Sequence, residues 1–133
     1  MRVTKANKQV VQRYFASVTS GEGNPLDCLA EDVTWWVPQG SSLGGIYRGK
    51  AAVAELMGSA LDAYSDEIPM EIEIRQLVAE DDWVCAQVEI SAGTRDGRPY
   101  RNWYHWAFRV RDGQIVEVNE YVDTRYVHET LGI

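Results

Sequence analysis

Two stretches in the N-terminal half carry hydrophobic side chains at helical spacing. Between about residues 7 and 18 the apolar side chains recur three and four positions apart, which predicts an amphipathic helix. From about residue 50 to residue 64 a wider apolar stripe predicts another helix. Pro25 follows a run of turn-forming residues and suits the first turn of a short helix between these two. The stripes consist of Val10, Val11, Tyr14, Phe15 and Val18, and of Val53, Leu56, Met57, Ala60, Leu61 and Tyr64.

After Pro69 the apolar positions follow a period of two, which is typical of β-strands. Strand-like segments lie near residues 70–79, 83–93, 99–111 and 114–123. Turn-forming pairs separate these segments, and the last two pairs are strong hairpin signals. The pairs are Asp81-Asp82, Asp96-Gly97 and Asp112-Gly113. The second half of the chain is therefore predicted to be an antiparallel meander.

The order of the predicted elements indicates the fold class. A short strand over residues 33–37 is stopped by Pro38, and a last helical turn, capped by Asp123, is expected from about Thr124. This order predicts an α+β fold, with a cone-shaped, curved antiparallel sheet and three helices on its concave face. If the long helices lean apart at one end, the cone encloses an apolar pocket. No repeat or linker interrupts the chain, so residues 1–133 are expected to form a single domain.

Composition and charge narrow the class of protein. The 133 residues carry a net charge of −7, with 20 acidic and 13 basic side chains. Because Lys and Arg do not cluster, no nucleic-acid partner is expected. The apolar runs are too short to span a membrane, and the charged start is not typical of a signal peptide. Cys28 and Cys85 lie in apolar contexts, which predicts free thiols in a cytoplasmic protein.

Motifs for metals and cofactors are missing from the sequence. His105 and His128 are far apart and the two cysteines are isolated, so the usual spacing of metal ligands does not occur. Residues 40–49 are rich in glycine but lack the pattern of a phosphate-binding loop, and no serine lies in a nucleophile-elbow context. The sequence therefore predicts a protein that uses neither metal nor cofactor.

Several segments of the chain resemble the ketosteroid isomerases. They are Val10-Val11-Gln12-Arg13-Tyr14, Ala30-Glu31-Asp32-Val33, Tyr47-Arg48-Gly49-Lys50 and the Asp112-Gly113 hairpin leading to Glu120-Tyr121-Val122-Asp123. Their order is also similar to that of the wider superfamily of nuclear transport factor 2-like folds, which includes the SnoaL-like polyketide cyclases and the limonene epoxide hydrolases. The resemblance covers nearly the whole chain and implies the cystatin-like cone. It is specific for the fold and weak for the reaction, since this superfamily hosts isomerases, cyclases, hydrolases and binding modules.

The resemblance to the isomerases carries over only part of their catalytic machinery. Tyr14 falls on the tyrosine that donates to the oxyanion in that family. The position of the base, on the strand just before the proline, holds Val37, and valine cannot abstract a proton. The position of the carboxylic-acid donor holds Tyr104, just before His105. Steroid isomerisation by the standard mechanism is therefore not expected.

Two glutamates are candidates for acid/base chemistry. The last strand resembles that of the epoxide hydrolases, and Glu120 falls on the position of an acidic residue in that family. Glu89 falls near their second acidic position. The arginine that bridges their two carboxylates would lie near Gln87, so it is missing here. Glu120 shares a strand face with Val118, so an inward carboxyl would have a raised pKa; the alternative is a solvated strand end. Glu89 either lines the cavity together with Gln87, or lies in water while the aliphatic side of its strand is buried.

Alternation also selects the side chains that would contact a ligand. On the segment 99–111, Asn102, Tyr104 and Trp106 share one face, while Trp103 and His105 are expected on the other. A helix stripe and the short early strand supply further walls of the pocket. The candidate substrate-binding residues are Trp35, Val37, Met57, Gln87, Asn102, Trp106 and Val118.

These features favour an acid/base enzyme without a cofactor, acting on a mostly apolar ring of polyketide, terpenoid or steroid type by isomerisation, cyclisation or hydrolysis. Glu120 would be the acid/base, Tyr14 and Tyr104 would donate to a developing oxyanion, and Glu89 would position substrate or water. The alternative is a non-catalytic ligand-binding or dimerisation domain of the same fold. A homodimer through the outer sheet face is expected in either case. The residues expected on that face are Val84, Val88, Ile90 and Trp103.

Overall fold

Residues 2–133, which the computed structural model describes, form a single curved sheet with helices packed against its concave face. The order of elements is α1 (Arg2–Ser20), a 3₁₀ turn (Pro25–Cys28), β1 (Leu29–Val37), β2 (Gly45–Arg48), α2 (Lys50–Leu61), β3 (Glu71–Glu80), β4 (Trp83–Gly93), β5 (Pro99–Arg111), β6 (Gln114–Val122) and α3 (Thr124–Leu131). The predicted α+β cone is confirmed.

The six strands lie in the order β2-β1-β6-β5-β4-β3. Strands β3 to β6 form the predicted antiparallel meander, and β1 pairs with β2 in the same antiparallel sense. β1 runs parallel to β6, so the sheet as a whole is mixed. A parallel pair needs a long crossover connection, and here nearly the whole chain between β1 and β6 provides it.

α1 and β1 begin earlier than predicted, at Arg2 and Leu29, and local structure differs from the sequence prediction at three further places in the first half of the chain. The glycine- and serine-rich segment contains the short edge strand β2. The glycines on either side of this strand interrupt the alternating pattern that would have predicted it. The short second helix is a single 3₁₀ turn, where the Asn24 side chain accepts a hydrogen bond from the backbone N–H of Leu26 at 3.0 Å. The helix α2 ends at Leu61, so Tyr64 lies beyond it and forms an isolated β-bridge with Thr94.

The hairpin between β5 and β6 is confirmed in its detail. Asp112 and Gly113 have φ angles of 52° and 78°, both in the left-handed region that a two-residue type I′ turn requires. Asp123 caps α3 as predicted, because its side chain accepts a hydrogen bond from the backbone N–H of Tyr126 at 3.1 Å. Turn and cap chemistry are short-range, which is why the sequence predicted them correctly.

The side chains of β4 alternate as predicted, but the buried face is the aliphatic one. Val84 and Val88 are 0% and 1% exposed, and Ile90 lines the cavity under the helices. Gln87 and Glu89 lie on the opposite, outer face of the sheet. The expectation that β4 lines the cavity with its polar side chains is therefore wrong. Burying the valine and isoleucine side chains removes far more apolar surface from water than burying the polar set would.

A β-bulge between β5 and β6 moves the side chains of the first residues of β6 to the opposite face of the sheet from the one that strict alternation predicts. The register shifts so that Ile115 pairs with Val110, both are buried, and Val116 is the extra residue. Strict alternation counted back from Glu120 would place Ile115 on the outer face, and the bulge instead brings it into the core. Beyond the bulge the predicted alternation holds, and Val118 and Glu120 point to the concave side. None of the helices within residues 2–133 is long and apolar enough to cross a membrane.

Candidate functional site

An apolar cavity of about 330 Å³ lies between the concave face of the sheet and the three helices. This volume is at the lower end of the range for sites that take small organic ligands. Most of the lining side chains are aliphatic or aromatic. Among the described residues that line it, Glu120 is the one acidic side chain, and none is basic.

Glu120 is held in place by the indole groups of two neighbouring strands. β6 lies between β1 and β5 in the sheet, and Glu120 is directly opposite Trp106 of β5. The Nε1 atoms of Trp35 and Trp106 donate hydrogen bonds to Oε1 of Glu120, at 3.3 Å and 3.1 Å. In residues 2–133 no side chain donates to the other carboxyl oxygen, Oε2. Oε2 therefore keeps its capacity to accept a hydrogen bond or a proton.

The surroundings of Glu120 favour its neutral form. Burial raises the pKa of the Glu120 carboxyl above its usual range, and the two indole hydrogen bonds oppose this effect without cancelling it. The accessible part of the side chain faces the cavity, so the carboxyl is shielded from bulk water and still open to a ligand. A carboxyl with a raised pKa in such a place is suited to general acid or base catalysis near neutral pH.

Tyr14 of α1 lies close to this carboxyl. Its ring packs against those of Phe15, Trp35 and Phe108, with centroids 5.3 Å, 6.1 Å and 5.8 Å away. Burial, and secondarily the charge of Glu120, raise the pKa of the Tyr14 hydroxyl. The hydroxyl therefore keeps its proton at every physiological pH and can act only as a neutral hydrogen-bond donor or acceptor.

A second polar group in the cavity consists of tyrosine hydroxyls. The hydroxyl of Tyr104 lies 2.6 Å from that of Tyr100 and 3.3 Å from that of Tyr64. Asn102 donates from Nδ2 to the Tyr100 hydroxyl at 3.1 Å. The Tyr104 ring stacks on Trp106 with centroids 4.7 Å apart. We call Tyr64, Tyr100, Tyr104 and Asn102 the tyrosine cluster; it is linked through Trp106 to the carboxyl of Glu120.

Most of the predicted site residues meet at the cavity. Glu120, Tyr14, Tyr104, Trp35, Val37, Trp106 and Met57 all line it. Val118 and Asn102 are buried on the same side of the sheet without lining the cavity. Val118 supports Trp35, its partner in the register of β1 and β6, and Asn102 acts through Tyr100.

Glu89 and Gln87 are not part of this site. Glu89 is buried on the outer face of the sheet beneath two arginines: Arg101 donates to its Oε1, and Arg75 donates to its Oε2 through Nε at 3.1 Å and through Nη2. The hydrogen bonds from Arg101 and then Arg75 hold the pKa of Glu89 below its usual range. Gln87 is exposed on the same face. Their predicted places in the cavity are wrong, because the aliphatic side of β4 is the buried one.

Tyr64 and Tyr100 are cavity-side residues that the sequence analysis did not select. Tyr64 was assigned to the core stripe of a helix, yet it lies after the end of α2 and reaches the cavity from the loop before β3. Tyr100 shares the alternation of Asn102 and Tyr104 on β5, and that alternation was the available signal for it. Residues 2–133 hold no cluster of three or more His, Cys, Asp or Glu side chains that could bind a metal ion.

Comparison with known proteins agrees with this geometry. A sequence profile of the SnoaL-like domain family matches residues 11–118. Fold and site together define an NTF2-like cone with a pocket on its concave side. The chain belongs to the SnoaL-like domain family. No significant match to a curated protein was found.

Three solved structures illustrate how widely the fold is shared. An NTF2-like protein from Burkholderia xenovorans is 26% identical, with 96% of this chain and 97% of that chain covered and a TM-score of 0.74. TerC, co-crystallised with polyporic acid, is 20% identical, with 96% and 99% covered and a TM-score of 0.84. A protein from Jannaschia assigned as a SnoaL-like polyketide cyclase is 14% identical, with 98% and 94% covered and a TM-score of 0.82. The last two likenesses show the fold alone.

Proposed function

We propose that the protein is an acid/base enzyme that acts on a small, mostly apolar ring compound by isomerisation, cyclisation or addition of water. The observation that carries this proposal is the carboxyl of Glu120 in an apolar cavity, with indole donors in place of a cationic partner. An ionised carboxylate in such a place destabilises the fold, and ionisable groups in such surroundings are typical of functional sites. The polyketide, terpenoid and steroid classes of ring all match the apolar lining.

The proposed chemistry keeps one negative charge in the cavity throughout. Ionised Glu120 removes a proton from the substrate, or from a water molecule, through Oε2, while the two indoles continue to hold Oε1. The charge then passes to an oxygen of the substrate, where the hydroxyls of Tyr14 and Tyr104 donate hydrogen bonds to it. Return of the proton from Glu120 to another atom completes the reaction and restores the carboxylate.

A ligand-binding domain without catalysis is the second candidate function. It would be favoured if both glutamates lay outside the cavity, because an apolar pocket then needs only a fitting ligand. Glu89 meets this condition, whereas Glu120 does not. The position of Glu120 is the reason that the enzyme is preferred.

The test uses simple probes that report each kind of chemistry. β-Tetralone in D₂O reports removal of a proton next to a carbonyl as deuterium exchange, and cyclohexene oxide in ¹⁸O-labelled water reports water addition. We expect the protein to accelerate one of these reactions and Glu120→Gln to slow it roughly 100-fold or more. Glu89→Gln is the matched control, since it replaces a glutamate outside the cavity and should retain the rate.

Tryptophan fluorescence measures binding of the same probes independently of turnover, because Trp35 and Trp106 line the cavity. Binding of both probes without acceleration of either reaction would favour the ligand-binding domain. A rate that is unaltered in Glu120→Gln would remove Glu120 from the mechanism.

A further inference from the structure

The charges that line the cavity are unbalanced. Among the described residues of the lining, Glu120 is the one acidic side chain, and none is Lys, Arg or His. The two groups bound to its carboxyl are neutral indoles, and both donate to Oε1. Oε2 keeps its capacity to accept, and no cationic side chain in the described lining faces it. A cation carried by a ligand would supply the missing charge.

Aromatic rings surround this carboxyl on both sides. The Tyr104 ring stacks on that of Trp106 with centroids 4.7 Å apart, and the Phe15 ring packs against Trp106 at 5.3 Å. On the β1 side of the carboxyl, the Tyr14 ring lies 6.1 Å from that of Trp35. The faces of aromatic rings carry partial negative charge and attract cations. The carboxyl and the rings around it therefore favour the same kind of ligand group, a positive one.

The rest of the lining selects the kind of cation. A metal ion takes several oxygen ligands, and residues 2–133 hold no cluster of three or more His, Cys, Asp or Glu side chains that could provide them. Leu56 and Met57 of α2 and Val127 and Leu131 of α3 add aliphatic surface to the cavity. Burying hydrocarbon against this surface is favourable, whereas a hydrated ion gains nothing from it. The fitting ligand is therefore an organic ammonium ion on a compact apolar ring.

We propose that the cavity binds ring compounds that carry a protonated amine, with the ammonium group donating to Oε2 of Glu120 and the ring lying against the aromatic side chains. This inference rests on the proposed function for the reaction, and it narrows the substrate class to rings with a basic nitrogen. The cation favours the ionised form of Glu120, from which the proposed removal of a proton begins. It also balances the negative charge that stays in the cavity during that reaction.

Probes of one shape and different charge test this preference. 2-Aminoindane is a cation at neutral pH, 2-indanol is neutral and indane-2-carboxylate is an anion. Tryptophan fluorescence measures their binding, because Trp35 and Trp106 line the cavity. We expect 2-aminoindane to bind most tightly and the carboxylate most weakly.

Glu120→Gln should change the affinities of the amine and the alcohol differently. It should weaken binding of 2-aminoindane about tenfold or more, the scale of a hydrogen bond to a charged group. Binding of 2-indanol should be unchanged or tighter, since this probe gains nothing from a negative charge. Glu89→Gln is the matched control: it removes the same charge from a site outside the cavity, so it should retain the affinity for the amine.

The pH dependence of binding identifies the partner of the amine. The other titratable side chains in the described lining are Tyr14, Tyr64 and Tyr104, and burial raises the pKa of each, so all three stay neutral. An aliphatic amine remains protonated up to a pH of about 10. Burial raises the pKa of Glu120 above 4.5, so the affinity for 2-aminoindane should increase as pH rises from that value and level off once Glu120 is ionised. In the Glu120→Gln protein the affinity should be independent of pH over the same range.

The outcomes separate this inference from the proposed function. Binding of 2-indanol or of the carboxylate that is tighter than binding of the amine would overturn the amine site. Equal affinities for the amine in the native and Glu120→Gln proteins, or the same pH dependence in both, would also overturn it. The proposed function is tested by turnover of the neutral probes β-tetralone and cyclohexene oxide. If one of these is turned over through Glu120 and the amine does not bind, the proposed function stands and the amine site is wrong.

Discussion

At the scale of single residues, the two glutamates show how environment assigns different properties to the same side chain. Glu120 has apolar neighbours and two neutral donors, so its pKa is raised by burial. Glu89 is covered by two arginines, so its pKa is lowered by their hydrogen bonds. One carboxyl is therefore poised to exchange a proton, and the ionised form of the other is stabilised in an ion-pair cluster.

Glu120→Gln should stabilise the fold at neutral pH. The folded state raises the pKa of Glu120, so burying this side chain costs the native protein no stability below about pH 4.5, the ordinary pKa of a glutamate. The free energy of unfolding then falls as pH rises from there toward the pKa of Glu120 in the folded state. The advantage of the variant should grow by about 1.4 kcal/mol for each pH unit in that window and then level off. Urea denaturation at a series of pH values measures it. A difference that is independent of pH would show that Glu120 is not buried as described.

Glu89→Gln should have the opposite pH dependence. The folded state lowers the pKa of Glu89, so its stabilising effect is present above about 4.5 and is lost as pH falls below that value. The variant should therefore unfold at lower urea concentrations than the native protein at neutral pH, and the two should converge in acid. If the variant instead loses the activity that the native protein shows, the exclusion of Glu89 from the site is wrong.

At the scale of elements, the helix α3 depends on a side-chain cap at its start and also forms part of the cavity wall. Asp123 follows the last residue of β6 and caps α3, and Val127 and Leu131 of α3 close one side of the cavity. The element is eight residues long, too short to be stable as an isolated helix. The helix is therefore stabilised by its cap and by packing against the rest of the molecule. A change at the cap should also alter the position of the side chains that α3 contributes to the cavity.

Asp123→Ala should destabilise the fold by about 1 kcal/mol, the usual effect of losing a side-chain cap. Glu129→Ala is a matched control on the same helix, since it breaks only the exposed ion pair with Arg125, which is worth about 0.5 kcal/mol or less. Thermal unfolding of the two variants compares them. Equal effects would mean that the cap does not stabilise α3.

At the scale of the whole molecule, the outer face of the sheet is where a dimer is predicted; of the four residues expected on it, Trp103 lies there and the other three do not. Val84, Val88 and Ile90 are buried under the helices and cannot take part. The face instead exposes aromatic and aliphatic side chains beside the arginines and acids around Glu89. Four of its members are Ile46, Val78, Trp103 and Tyr121. A patch with both charge signs is complementary to a second copy of itself, so a homodimer stays a prediction.

Trp103→Ser should weaken this dimer. Trp103 is 57% exposed and contacts Arg101 through a cation–π interaction, so its replacement removes apolar area without disturbing the core. Sedimentation at micromolar concentration should give a dimer for the native protein and a shift toward monomer for the variant. Val3→Ser, at an exposed position on α1, is the control and should stay dimeric. A native protein that sediments as a monomer would contradict the prediction.

Features that depend on near neighbours in the chain could be predicted from the amino-acid sequence. The periods of apolar residues predicted α1, α2 and the meander, because an amphipathic helix or strand must bury one face. The Asp112-Gly113 turn and the Asp123 cap were predicted because their backbone geometry is local. Glu120 was selected through the resemblance to the epoxide hydrolases, and alternation then placed it on one face of β6 with the aliphatic Val118 and Val122.

Packing between distant elements sets which face of each strand is buried and which distant side chains meet. Alternation divides β4 into two faces without ranking them, and packing against α1 placed the valines inside and Glu89 outside. The donors to Glu120 come from β1 and β5, so the order of strands in the sheet brings them to the carboxyl. Tyr64 joins Tyr104 across a separation of 40 residues, and contacts of that kind arise from the packing of whole elements, which no local pattern encodes.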